Sequence, residues 1–253
     1  MNEIMALVDS RIAGIEGVEF EAASRRGRIQ SSKTAILPLY GVISQRMNLL
    51  TEYSGGTSTD LFGTWFDDAM ADDTVSRILI DVDSPGGSVY GISELSNKIY
   101  KARGTKPIIA VSNSLMASAA YWVASAADEI FVTAGGEVGS VGVIAVHVDQ
   151  SKANEQAGMK VSYITAGEHK AEGNPDEPLG DDARSFIQSR VDEYYEMFTA
   201  DVARNRGKDK SYVKSNFGQG RVFGTNSAIR SGMADKIGSL EYVMRLPASS
   251  RSR

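Results

Sequence analysis

Ile78-Leu79-Ile80-Asp81-Val82 is a nearly continuous apolar run, and it limits the fold more than any other segment of the chain. A strand this apolar has no face to offer water, so it belongs inside a parallel sheet that helices cover on both sides. The residues after it agree. Asp83-Ser84-Pro85-Gly86-Gly87-Ser88 reads as a glycine turn, and Ile92, Leu95, Ile99 and Tyr100 then mark one face of a helix ending near Gly104. Pro107-Ile108-Ile109-Ala110-Val111 is the next expected strand. Parallel strands joined through a helix form a right-handed crossover, which commits the chain to the α/β class.

The same rhythm extends in both directions. Ala35 to Ile43 predicts a strand, with Pro38 placing it near a sheet edge or a strand start. Residues 44–57 read as a loop, and Thr59-Asp60 offers an N-cap for a helix carrying Leu61, Trp65, Phe66, Ala69 and Met70. Downstream, the pattern predicts a small-residue helix over 117–127, strands over 129–133, 140–148 and 160–165, and a helix over 151–157. Ile187, Val191, Tyr194, Phe198 and Val202 share one stripe of a single long helix over 181–206, followed by a compact tail. The expected organisation is a partly flexible arm over 1–33, one domain over 34–246 and a frayed end over 247–253. The basic run Ser24-Arg25-Arg26-Gly27-Arg28 in that arm reads as a solvated surface patch.

Composition narrows the function classes. A formal net charge of −5 without a basic stripe argues against a nucleic-acid partner. The chain has no cysteine, which excludes disulfides, thiolate catalysis and cysteine-based metal sites. Its two histidines, His147 and His169, lie outside any HExxH pattern, so no metal or other cofactor is expected. The N-terminus, Met1 to Asp9, carries acids where a signal peptide needs a basic region, and no stretch approaches the roughly 20 apolar residues of a membrane span. The expectation is a protein that stays where it is made, away from membranes.

Ser118 lies in Asn113-Ser114-Leu115-Met116-Ala117-Ser118-Ala119-Ala120-Tyr121-Trp122, among neighbours too small to obstruct a substrate. The glycines upstream let a polypeptide approach the backbone closely, because glycine has no Cβ. No Gly-Lys-Ser/Thr follows them, so they do not form a nucleotide loop. An N–H from Gly86 or Gly87, together with that of Ala119, is placed to hold an oxyanion. A serine nucleophile also needs a base. His147, with Asp149 two residues on, offers a Ser118–His147–Asp149 triad if the strand continues far enough for both to share a face. Lys170, in the polar stretch Ala166 to Pro175, offers an amine that accepts a proton near neutral pH only once desolvation has stripped its charge. These residues alone leave both bases open.

The run from Ile78 to Gly238 resembles the signal peptide peptidase family of Ser–Lys serine proteases. The resemblance rests on Asp83-Ser84-Pro85-Gly86-Gly87, Ala117 to Trp122, Gly139-Ser140-Val141-Gly142-Val143, and Gly167 to Lys170. The tail Gly220-Arg221-Val222-Phe223, with Gly232-Met233-Ala234-Asp235, is similar to the family's closing motif. The resemblance implies a ClpP/crotonase-like βαβ superhelical fold with a largely parallel sheet and flanking helices. It implies Ser118 as nucleophile, Lys170 as general base and Ser140 as the hydroxyl that orients the lysine amine. The separation of Ser118 and Lys170 matches that of single-repeat members, which form homo-oligomeric rings where one protomer's lysine reaches its neighbour's serine. Ala119-Ala120 stands where relatives often carry glycines, which narrows the room beside the oxyanion but keeps the Ala119 N–H.

Leu37 to Ser44, Ser54 to Ser58 and Glu172 to Pro175 are most similar to the phage and prophage branch, whose enzymes cut scaffold, portal or capsid proteins inside the maturing head. The implied function is a head-maturation endopeptidase acting in the host cytoplasm without a cofactor. Three alternatives remain: a host peptidase clearing signal peptides and membrane proteins, an acyl-coenzyme A enzyme on the same fold, and a shell-assembly protein whose protease site is vestigial.

Overall fold

The computed structural model describes residues 29–31, 33–46 and 55–247. The N-terminal arm with its basic run, and the frayed end, fall almost wholly outside these residues. Among the described residues, nine strands form one sheet. They are β1 (Ile29–Ser31), β2 (Thr34–Ser44), β3 (Thr57–Ser58), β4 (Arg77–Gly87), β5 (Ile108–Ala117), β6 (Glu129–Val132), β7 (Glu137–Gly139), β8 (Val222–Gly224) and β9 (Lys236–Ile237). The main path runs β1-β2-β4-β5-β6-β9, with β3 on β2, β7 on β5 and β8 on β7. Only the β1–β2 and β7–β8 pairs are antiparallel, so the sheet is largely parallel, as the apolar runs require. Pro38 pairs with Asp81 of β4, while β1 and β3 reach only the two ends of β2. Among the described residues, the missing N–H of Pro38 therefore interrupts no ladder.

Eight helices accompany the sheet among the described residues: α1 (Thr59–Ala71), α2 (Ile92–Ala102), α3 (Ala119–Ala124), α4 (Ser151–Gln156), α5 (Asp181–Arg206), α6 (Lys210–Asn216), α7 (Thr225–Ser231) and α8 (Leu240–Arg245). One sheet face, with Leu37, Leu39, Ile78, Ile80, Val82, Ile108 and Ala110, packs against Phe62, Phe66, Leu95, Ile99, Trp122, Phe198 and Val202 from the helices. The other face, with Ile36, Leu79, Ile109, Val111 and Phe131, is covered by Leu240, Val243 and Met244 of α8. The buried Arg77 anchors that helix by donating from Nη1 to the carbonyls of Val243 and Leu246, at 3.1 and 3.0 Å. The Val243 carbonyl also accepts the Leu246 N–H at 3.1 Å, so the guanidinium adds a second donor at a helix end where carbonyls run short of partners.

Three expectations need correction. The cap of α1 is Ser58, whose Oγ accepts the Leu61 N–H at 3.2 Å. The buried face accordingly includes Phe62 while Leu61 turns outward, because moving one position rotates a helix stripe by about 100°. Secondly, the glycine segment is not a turn: β4 runs through it, pairing Val42 with Gly86 and Ile43 with Gly87. A Cβ on Gly87 would overlap the Ile43 carbonyl oxygen and lie 2.6 Å from the Ile43 nitrogen, so the two backbones approach where no side chain fits.

The third correction concerns residues 140–148 and 160–165, which are not strands. From Ser140 to Gly180 the chain leaves the sheet as an arm that contains only α4. Its apolar residues alternate as in a half-buried strand, yet have no ladder partner among the described residues; Ile144 is 87% and Ile164 100% exposed. Alternation reports an extended segment with one side to cover, and is silent on where the cover comes from. The long helix α5 matches its expected range, with Phe198 and Val202 buried and Ile187, Val191 and Tyr194 half-buried beside the arm.

Candidate active site

Ser118 occupies the corner between β5 and α3 with φ 52° and ψ −124°, a conformation that strains any residue bearing a Cβ. The surroundings enforce it. The Ser118 N–H donates to the Gly139 carbonyl at 2.8 Å, and its own carbonyl accepts the Trp122 N–H at 2.9 Å. Trp122 is stacked on Phe198, with ring centroids 4.5 Å apart and planes 6° off parallel. Asp201 Oδ2 accepts both the Trp122 indole N–H, at 2.9 Å, and the Ser93 hydroxyl, at 2.7 Å. At the far end of α3, the Arg103 guanidinium donates to the carbonyls of Ser125, Ala126 and Ala127. The helix behind Ser118 is thus clamped at both ends, while the Ser118 hydroxyl, half-buried, makes no hydrogen bond among the described residues.

The strain can be measured. Ser118→Gly, which removes the Cβ, is expected to be about 1 kcal/mol more stable than Ser118→Ala, which keeps it. That difference is roughly 2–4 °C in thermal midpoint for a chain of this size. Equal midpoints for the two variants would refute the strained corner.

Gly86 packs directly on this corner. With φ 97°, a Cβ there would sit 2.6 Å from Ser118 Cβ and 2.9 Å from the Ala119 nitrogen. The Gly86 N–H is 3.1 Å from Ser84 Oγ and so already has an acceptor. Ser88 donates its N–H to the Ile43 carbonyl at 2.8 Å, and in a parallel ladder the intervening Gly87 turns its own N–H away from β2. Of the two glycines, Gly87 therefore has the freer donor, and Gly86 supplies the room. Ala119 begins α3, where an N–H has no intrahelical acceptor. Ser140 follows Gly139, the residue bonded to Ser118, and is held with φ 57° by donating its N–H to the Arg221 carbonyl at 2.8 Å. The structure thus brings Gly86, Gly87, Ser118, Ala119 and Ser140 to one corner of the sheet.

Lys170 stands apart. It is exposed in a turn of the arm, its N–H on the Gly167 carbonyl at 3.2 Å, and it lines an open 640 Å³ cleft with Tyr163, Ile164 and Glu172. Among the described residues its amine makes no hydrogen bond or ion pair, to Ser118 and Ser140 included. The histidine alternative does not assemble either. His147 places Nε2 2.9 Å from the Asn174 carbonyl, and Asp149 accepts the Ser151 N–H at 2.9 Å. Both serve to fold the arm, together with Asn154 and Tyr163, which bond Asp176.

Residues 101–251 match the model of peptidase family S49. The chain belongs to that family. It is 35% identical over 203 residues to the head-tail preconnector protein GP5 of Enterobacteria phage P21, covering 80% of this chain and 40% of that protein. It is 34% identical over 203 residues to the capsid assembly protease C of Escherichia phage lambda, covering 80% and 46%. The putative signal peptide peptidase SppA of Enterococcus faecium is 30% identical over 171 residues, covering 67% and 49%. The chain spans less than half the length of each of these relatives. The S49 match includes Ser118, Ala119, Ser140 and Lys170, and the sheet is the ClpP/crotonase-like arrangement of that family. Among the described residues of this S49 chain, no three acidic or histidine side chains cluster as metal ligands, and no helix is long and apolar enough to cross a membrane.

Sequence reasoning missed the clamp behind the serine. Asp201, Arg103 and Asn205, which donates to Ser96 and Ser125, act across helices far apart in the chain. No local pattern signals such contacts.

Proposed function

We propose that this S49 chain is a serine endopeptidase with a Ser–Lys dyad. The observation that carries the reading is the strained corner at Ser118, walled by Gly86 and tied through Gly139 to Ser140. Ser118 Oγ bonds to the peptide carbonyl carbon as its proton passes to the Lys170 amine, which the Ser140 hydroxyl orients. The Gly87 and Ala119 N–H groups face the resulting oxyanion. The C–N bond then breaks, the leaving amine takes the proton from Lys170, and water releases the acyl group by the same steps. No cofactor enters.

The dyad forms between subunits of a homo-oligomeric ring. Support comes from the arm, on which the exposed Lys170 makes no hydrogen bond to its own Ser118 and Ile144, Val146 and Ile164 are exposed. Apolar surface on that scale is the mark of an interaction site. Residues 34–246 act as one protease domain. The natural substrates are scaffold, portal or capsid proteins of a maturing phage head in the host cytoplasm, a reading supported by the names of the two phage relatives.

Mixing tests the arrangement. Ser118→Ala and Lys170→Ala proteins are each expected to be inactive on casein. After subunit exchange at equal amounts, roughly a quarter of parental activity should return, the statistical share of sites pairing an intact serine with an intact lysine. No recovery after exchange has been verified by mass-labelled subunits would overturn the shared site.

A further inference from the structure

We propose that a hollow of 430 Å³ beside the serine corner is a subsite for a carboxylate of the substrate polypeptide. Its lining is Ser215, Asn216, Gly218, Gln219, Arg221 and Phe223, with no acidic residue among them. The inference rests on the peptidase reading and adds a substrate class to it.

Position is the first argument. The Arg221 carbonyl accepts the Ser140 N–H at 2.8 Å, continuing the β7–β8 ladder in which Gly139 faces Val222. Residues opposed in such a ladder have Cα atoms about 5 Å apart, so the Arg221 side chain springs from the rim of the site. The opposite wall is also tied to the corner. Phe217, between Asn216 and Gly218, packs edge-on against Tyr121 of α3 with centroids 6.2 Å apart. Tyr121 lies within one helical turn of Ser118.

Chemistry is the second. Among the described residues, the Arg221 guanidinium and the side chains of Gln219 and Ser215 make no hydrogen bond or ion pair, and all three are exposed to the hollow. Asn216 uses its amide N–H on the Tyr212 carbonyl, at 3.0 Å, and among the described residues its oxygen makes no hydrogen bond. A guanidinium presents a rigid fork of donors that matches a carboxylate in a two-point bond. An amide and a hydroxyl beside it add further donors.

The backbone supplies the third. Gly218, Gln219 and Gly220 take φ values of 82°, 48° and 92°, and Gln219 has a Cβ to strain. The Phe223 ring locks the loop from below, leaving no space for a Cβ at Gly218, which would lie 2.6 Å from the ring. A loop held this way presents Gln219 and Arg221 outward in a fixed relation.

Two sources of carboxylate are possible, a Glu side chain or a peptide C-terminus, and one experiment separates them. The Ser118→Ala chain, which binds without turnover, is titrated by fluorescence anisotropy with labelled alanine-based octapeptides. Each peptide carries one Glu, scanned along the sequence, beside its Gln twin, and each is made with a free or an amidated C-terminus. At one position, or at the terminus, the carboxylate is expected to tighten binding about tenfold, which corresponds to about 1.4 kcal/mol. Adding Arg221→Gln should bring that ratio to about one, and Arg221→Lys should keep only part of it, because it retains charge without the fork. Equal affinity within every pair, or a preference that survives Arg221→Gln, overturns the subsite. If Arg221→Gln does not fold, Gln219→Ala takes its place, and a ratio left unchanged by that variant overturns the proposal equally. Casein turnover by the unsubstituted chain reports on the peptidase reading separately, so the two fail independently.

Discussion

Alanine at position 118 is expected to abolish casein cleavage and all labelling by a fluorophosphonate probe, lowering turnover by about 10⁴-fold or more. The size of the effect follows from the role proposed for the hydroxyl. It supplies the bond-forming oxygen, and an oxyanion site without a nucleophile retains only the weak catalysis that binding and polarisation give. Folding should be untouched. Ser118 Oγ has no hydrogen bond among the described residues, and the backbone bonds to Gly139 and Trp122 persist with alanine. Thermal unfolding of Ser118→Ala should therefore superimpose on that of the unsubstituted chain. Cleavage at the parental rate with an unlabelled protein would show that the serine corner is not where peptide bonds are cut.

Gly87→Ala is expected to produce the largest loss of stability, more than about 4 kcal/mol, with a fall in thermal midpoint of roughly 10 °C or more. The added methyl meets backbone on every side of Ile43: it overlaps the carbonyl oxygen and comes within 2.6 Å of the nitrogen and 2.7 Å of the carbonyl carbon. Backbone cannot swing aside as a flexible side chain can. To admit the methyl, β2 and β4 must separate where Ile43 pairs with Gly87, and the Ser88 bond to Ile43 goes with them. The same separation moves the Gly87 N–H, so activity should fall with stability. Gly135→Ala is the matched control: nothing lies within 4 Å of its would-be Cβ, and its midpoint should barely move. A Gly87→Ala protein that melts with the control would remove the close backbone approach from the account of this site.

Much of this architecture is legible in the sequence. The apolar run at 78–82 led to a central strand, and the stripe from Ile187 to Val202 led to a helix over Asp181–Arg206. Both are cases where a long or strongly apolar pattern leaves one way to be buried. The serine corner was legible for a different reason. Small residues, glycines and a serine were set at intervals that only a resemblance to a known family could tie together. What misled was the segment 140–165, where alternation predicted two strands. Outside α4 those residues have no strand partner among the described residues, and the Lys170 they lead to is an exposed residue of the arm. The identity of the glycine segment as strand rather than turn was equally hidden, since glycine favours turns locally and β4 overrides that preference through its ladder with β2.

By itself, the sequence determined the class of fold and supplied the residues proposed to cut a peptide bond. Burial of apolar runs and the need of a nucleophile for small neighbours are local demands, written within a few residues of each other. Tertiary structure alone decided which groups meet. It placed Asp201 under Trp122, Arg103 on the end of α3 and Arg221 beside Ser140, and it left the exposed Lys170 without a bond to its own Ser118. Those outcomes depend on how distant segments pack, and no period or motif within one segment contains that information.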